Sequence, residues 1–172
     1  MFSDPAANIA KLGVTDGMKV VDLGAGSGFY SIESAKRVGA SGKIYAVDVQ
    51  KNLLERLRSV ALAQGLKNIE VVWGNAEKIG GTKLKDAIAD RAIVSNILIQ
   101  VAKQDDFALE VKRLVKPGGK ILVIEWNEAS HIPRGTIISA AKAQTLFEKN
   151  GFKLEQSFPA GNSHYGLILA RT

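Results

Sequence analysis

The sequence predicts an α/β fold, a doubly wound and mostly parallel seven-stranded sheet that ends in an antiparallel hairpin. Three observations carry this expectation. Short β-branched runs alternate with longer stretches of helical periodicity, the pattern of strands joined by crossover helices. Several runs, such as Val20-Val21 and Ile121-Leu122-Val123-Ile124, are apolar at nearly every position, as strands covered on both faces are. The last two runs are joined by Pro159-Ala160-Gly161-Asn162, which leaves no room for a helix and requires antiparallel pairing.

Taken in order, Met18 to Leu23 reads as the first strand and Phe29 to Arg37 as the first helix. Lys43 to Val47 follows as a strand, then Lys51 to Gln64 as a helix. There Leu53, Leu54, Leu57, Val60 and Ala61 share one side, opposite Lys51, Glu55, Arg56, Arg58 and Gln64. Ile69 to Trp73 and Ala89 to Ser95 are the next two strands, and Gln104 to Leu114 the next helix. Pro117-Gly118-Gly119 stops that helix before a strand over Lys120 to Trp126. Ile138 to Lys149 completes the helices, and Phe152 to Phe158 with Tyr165 to Ala170 forms the hairpin. No repeat, low-complexity tract or linker interrupts residues 1–172, so a single domain is expected.

Composition narrows the function classes. With 46% hydrophobic and 23% charged residues the chain has a globular balance. No apolar run approaches a membrane span, and the N-terminus has no basic start followed by an apolar stretch, so a cytoplasmic location is expected. The absence of cysteine removes disulfides, thiolate metal sites and a cysteine nucleophile. The two histidines, His131 and His164, make no metal-ligand pair, so no metal is implied. A net charge of +6 raises the question of nucleic acid, yet the basic residues are scattered and interleaved with Glu55 and Glu110 on helical segments. That is the look of solvated helix faces.

The chemistry begins after the first strand. Val20-Val21-Asp22-Leu23-Gly24-Ala25-Gly26-Ser27-Gly28 runs from strand through a tight turn into a helix. Glycines at alternate positions permit positive φ and bring backbone N–H groups close to a ligand, in front of a helix N-terminus. Taken alone, the segment is equally a sharp turn with no ligand. A dinucleotide fingerprint needs Gly-x-Gly-x-x-Gly, whereas position 29 is Phe and the third glycine is Gly28. About twenty residues on, a second strand closes on Asp48, whose carboxylate can accept both hydroxyls of a ribose or cap the helix at Lys51.

These residues resemble the first motif of the class I, Rossmann-like S-adenosylmethionine-dependent methyltransferases, an acidic residue followed by Gly-x-Gly-x-Gly. Asp22, Gly24, Gly26 and Gly28 match it position for position. The resemblance implies S-adenosylmethionine as cofactor. It places the methionine end on the turn Gly24-Ala25-Gly26-Ser27-Gly28, the ribose on Asp48 with Val49, and the adenine on Asn75 with Ala76. It also implies that Asn96 and Ile97, ending the fourth strand, flank the methionine and open onto the substrate. Asn75 departs from the usual acidic residue and offers a neutral amide oxygen instead. Asn96 is not followed by Pro-Pro-aromatic, which argues against the branch that methylates amino groups of bases or glutamine.

Ligands of open α/β sheets sit beyond the carboxyl ends of the strands. Acceptor contacts are therefore expected from 1–8, 97–100, 127–135 and 160–165, with the short N-terminal segment giving little lid. His131, His164 and Tyr165 fall in or beside these segments and are the weak candidates for a catalytic base; Glu125 is a further one, or a packing residue. In-line methyl transfer from a sulfonium needs alignment more than it needs a base. The expected partner is a small-molecule methyl acceptor, as in the plain domains near the quinone-biosynthesis branch that this chain resembles. Nucleic acid or protein as acceptor, and a non-catalytic cofactor-binding protein, are the alternatives.

Overall fold

The computed structural model describes residues 3–130 and 137–172. Twelve elements follow in chain order: α1 (Pro5–Leu12), β1 (Lys19–Leu23), α2 (Phe29–Val38), β2 (Lys43–Asp48), α3 (Lys51–Ala63) and β3 (Ile69–Trp73) form the first half. The second half is β4 (Ala89–Ser95), α4 (Gln104–Leu114), β5 (Val115–Trp126), α5 (Ala140–Lys149), β6 (Phe152–Pro159) and β7 (His164–Arg171). All seven strands join one sheet in the order β3-β2-β1-β4-β5-β7-β6. The pairs among β1 to β5 are parallel, and β7 runs antiparallel to both β5 and β6. The predicted doubly wound sheet with its terminal hairpin is therefore observed.

Side-chain alternation sorts the core into two layers. Val20, Ile44, Ile93, Leu122, Ile124 and Ile168 face α1 and α2. Val21, Val94, Ile121, Val123, Leu167 and Leu169 face α4 and α5. Burial on both faces explains why these strands carry runs of consecutive apolar residues. Strand order reverses at β1, whose neighbours are β2 and β4, so the carboxyl ends of β1 and β4 diverge and leave a crevice.

Two parts of the expected layout change. The N-terminal segment is a helix, α1, absent from the sequence prediction. Asp4 caps it by accepting from the N–H groups of Ala6 and Ala7, and Pro5 fits a first-turn position that needs no donor. Its apolar stripe is only Ile9 and Leu12, too short to show periodicity, but both are fully buried. β5 also starts at Val115 rather than Lys120. Val115 pairs with Ala89 and Lys120 with Arg91, so the residues between bulge out of register. A Cβ on Gly119 would press on Val115 and on the carbonyl of Asp90, which is why the reversal can stay within the strand. No helix among the described residues is long and apolar enough to cross a membrane.

A buried ion pair fixes the loop behind β3. Glu110 of α4 is fully buried and accepts from Arg113 Nε at 2.8 Å, from Thr82 Oγ1 at 2.5 Å and from the Gly80 N–H at 2.7 Å. Burial opposes its ionised form, but these donors outweigh burial and hold the carboxyl below its usual range. Glu110→Ala should cost about 3 kcal/mol, because it removes the buried partner of Arg113, which keeps Asp86 and the Leu84 carbonyl, and leaves two loop donors unpaired. Denaturant unfolding of the variant measures that loss.

Candidate functional site

The crevice between the carboxyl ends of β1 and β4 widens into a cavity of about 870 Å³. One end is built from β2 and β3: Asp48, Val49, Leu53, Asn75 and Ala76 line it. The other lies over β4, β5 and β7, lined by Ser95, Asn96, Ile97, Trp126 and His164. The glycine turn forms the floor between them, and Ser3 and Pro5 at the start of α1 close one side. The N-terminus thus covers more of the cavity than the sequence suggested.

The turn is held by its neighbour strand. The N–H groups of Gly24 and Ala25 both donate to the Val47 carbonyl, at 2.9 and 3.0 Å. Gly26 donates to Asp48 Oδ2 at 2.9 Å, and Gln50 to Asp48 Oδ1 at 2.9 Å. Asp48 therefore braces the turn and does not cap α3, whose cap residue is Gln50. Each oxygen takes one backbone donor, and a carboxylate oxygen has room for another.

The three glycines, with φ of 73°, 52° and 80°, answer to three different constraints. A Cβ on Gly24 would collide with Ile97 Cδ1, and one on Gly28 with Leu57 Cδ1. Around Gly26 there is open space beyond the Gly24 carbonyl, so a side chain there would project into room left for a ligand. Gly28 is the one residue of the predicted cofactor set that does not line the cavity; its place is against α3. The packing partner is distant in sequence, so nothing local could show this.

Charge separates the cavity from the rest of the protein. Asp22, Asp48 and Glu77 line it, and no Lys or Arg is among its described lining residues, although the chain carries +6 overall. Asp22 is buried and accepts from Ser31 Oγ at 2.6 Å. Burial pushes its carboxyl up to about 6, the Ser31 hydrogen bonds pull it down, and the nearby Asp48 adds to the rise. Asn75 Oδ1 accepts from Glu77 N at 2.8 Å, which fixes the amide's orientation, and the Ala76 N–H finds no protein acceptor among the described residues. Asn96 has a φ of 53°, and its buried Oδ1 likewise has no partner there.

The candidate bases scatter. His164 lines the cavity with its ring against Trp126, centroids 3.9 Å apart. Burial lowers its pKa, and neither ring nitrogen has a partner among the described residues. Tyr165 lies on the opposite face of β7, outside the cavity lining, where its hydroxyl donates to the Ile138 carbonyl at 2.9 Å. His131 lies outside the described residues. Residues that sequence reasoning missed include Phe29, Tyr30, Leu53, Phe107 and Trp126. Phe29 and Tyr30 follow the glycine motif directly and were legible as its continuation; the others converge only through the fold. No cluster of His, Asp or Glu suited to a metal occurs among the described residues.

This geometry matches known proteins. A family model described as a methyltransferase domain matches residues 14–166. A protein of Hahella chejuensis named ubiquinone/menaquinone biosynthesis C-methyltransferase UbiE is 30% identical over 165 residues, 95% of this chain and 63% of its own length. The like-named protein of Bordetella avium is 32% identical over 73% of this chain and 47% of its own. The chain thus spans between about half and under two thirds of these curated relatives. A crystal structure of a SAM-dependent methyltransferase from Aquifex aeolicus superposes with a TM-score of 0.90 at 27% identity, covering 99% of this chain and 91% of that one.

Because the folded state holds the proton on Asp22 more tightly than the unfolded chain does, this group's contribution is complete below about pH 3.8 and fades as pH rises through about 6. Asp22→Asn should remove roughly 1–3 kcal/mol of that decline. Urea unfolding of both proteins from pH 3.5 to 7 reads the difference in slope.

Proposed function

The chain belongs to the methyltransferase-domain family whose model spans residues 14–166, and from that premise we propose that it is an S-adenosylmethionine-dependent methyltransferase acting on a small molecule at carbon. The observation that carries this reading is the acidic, glycine-floored cavity in a basic protein. S-adenosylmethionine brings an ammonium and a sulfonium against a single carboxylate, a net positive charge, which suits three carboxylates and no Lys or Arg among the described lining residues. A dinucleotide would bring a pyrophosphate to the same surface, and an RNA its phosphates. Both are disfavoured by this charge.

The residues fit the cofactor group by group. Asp48, braced by Gly26 and Gln50, has one remaining acceptor site per oxygen for the ribose hydroxyls. The Asn75 amide oxygen and the free Ala76 N–H suit an adenine edge, and Val49 with Leu53 supplies an apolar wall for its face. Open space over Gly26 and the carboxylate of Asp22 suit the methionine end. When bound, the cofactor supplies an electrophilic methyl on a cationic sulfur. The protein's part is alignment: Asn96 and Ile97 border the reacting end, and Phe107, Val101 and Trp126 keep that end poor in water.

Carbon as the acceptor atom is supported by the relatives, which are named C-methyltransferases, and the aromatic Phe107 and Trp126 at the β4–β5 end suit a small organic acceptor. S-adenosylhomocysteine at a hundred times its dissociation constant should stabilise the fold by about 2.7 kcal/mol in a thermal-shift assay, with no shift from NAD. A shift with NAD alone would sink the reading. Asp48→Ala should weaken S-adenosylhomocysteine binding by roughly 1.5–3 kcal/mol, the scale of hydrogen bonds to a charged group, as titration calorimetry reports.

A further inference from the structure

Glu125 stands near the end of β5, on the face that packs against α4 and α5. It is fully buried. Its Oε1 accepts from the N–H of Ile97 at 2.9 Å and of Leu98 at 2.7 Å, across the gap from β5 to the segment leaving β4. Its Oε2 has no partner among the described residues. The segment it catches is a demanding one. Asn96 turns the chain through a positive φ of 53° without being glycine, while its own N–H donates to Ile124 at 2.8 Å. Gln100 N–H then donates to the Ile97 carbonyl at 2.8 Å, so Ile97 and Leu98 open a single turn whose first two donors would be orphaned without Glu125.

What this turn carries is the wall of the cavity. Ile97 Cδ1 fills the place a side chain on Gly24 would take, and both Asn96 and Ile97 line the cavity. A chain of contact therefore runs from the carboxyl of Glu125 through two amides to Ile97, and from Ile97 to the glycine turn. We propose that Glu125 is the positioning residue of the donor site, setting Ile97 against Gly24 so that the floor under the ligand's reacting end is fixed. This rests on the reading of the cavity as a methyl-donor site.

A glutamine would supply the same oxygen to the two amides, so the acid adds something further. Burial pushes the Glu125 carboxyl up to about 7, and the Leu98 and Ile97 donors offset burial only in part. The groups facing it do not neutralise it. Tyr165 of β7, paired opposite it in the sheet, is titratable but uncharged near neutrality, and its hydroxyl is spent on Ile138. On α4, Glu110 and Arg113 turn toward Thr82, and Asp105 pairs with Lys149 of α5 at the surface. From β4 the adjacent Ser95 and Asn96 are neutral. Ionisation of Glu125 makes both amide bonds charge-assisted, so the clamp tightens as pH rises through about 7.

The test combines S-adenosylhomocysteine calorimetry with amide NMR on wild type, Glu125→Gln and Glu125→Leu. In wild type the dissociation constant should fall between pH 6 and 8, and the Ile97 and Leu98 amide protons should titrate together. In Glu125→Gln the amide titration should vanish, and the pH dependence of binding should shrink to the part that Asp22, at about 6, contributes. Glu125→Leu should bind at least about tenfold more weakly, and Glu125→Gln should recover most of that loss. If Glu125→Leu does not fold, the amide titration and the Glu125→Gln pH profile still decide. Non-titrating amides, or a folded Glu125→Leu with wild-type affinity, overturn the role of Glu125. A wild-type protein that binds no S-adenosylhomocysteine overturns the donor-site reading itself, whereas the amide titration then still reports on the clamp.

Discussion

The fold turns on the attachment of the Gly24–Gly28 turn to β2. Two N–H groups converge on one carbonyl, that of Val47, and a third is taken by the carboxylate of Asp48. Without this attachment the chain leaving β1 has no reason to stay low over the sheet, and the crevice beside β4 loses its floor. Everything ligand-facing is arranged around it. Leu57 packs under one end of the turn, Ile97 over the other, and the open space falls at Gly26 between them. The polar groups that face the cavity are mostly held by backbone donors, so they are set before any ligand arrives, which lowers the ordering cost of binding.

A parallel sheet makes such a site possible because its order reverses once, at β1. On the β2–β3 side the crevice offers Asp48, Asn75 and Glu77 beside the apolar Val49 and Leu53, and on the β4–β5 side Ile97, Phe107 and Trp126 stand among Ser95, Asn96 and His164.

Much of this was legible in the sequence, and the failures have physical causes. Strands covered on both faces announced themselves as apolar runs, and Asp22, the glycines and Asp48 could be placed because their spacing is local. What could not be seen were relations between distant segments. Asp48 was expected as a ribose acceptor, with a helix cap as the alternative, but its bracing of the turn was not visible because only the folded position of Gly26 reveals it. Gly28 looked like a ligand contact, yet its constraint is Leu57 of α3, separated from it in sequence by the whole of α2 and β2. Helix α1 was missed although Asp4-Pro5 is a legible start signal, because Ile9 and Leu12 as its buried apolar residues leave no period to detect. Trp126 and Glu125 are neighbours in sequence but serve opposite faces of the sheet, and only strand alternation tells which one meets the cavity.

The acidity of the cavity has a consequence for turnover. In the proposed reaction the sulfur enters as a cation and leaves as a neutral thioether, while Asp22, Asp48 and Glu77 stay where they are. The same carboxylates that draw the donor in therefore hold the spent cofactor less firmly, by the loss of one charge in a partly desolvated space. Charge alone therefore distinguishes the used cofactor from the fresh one at this surface.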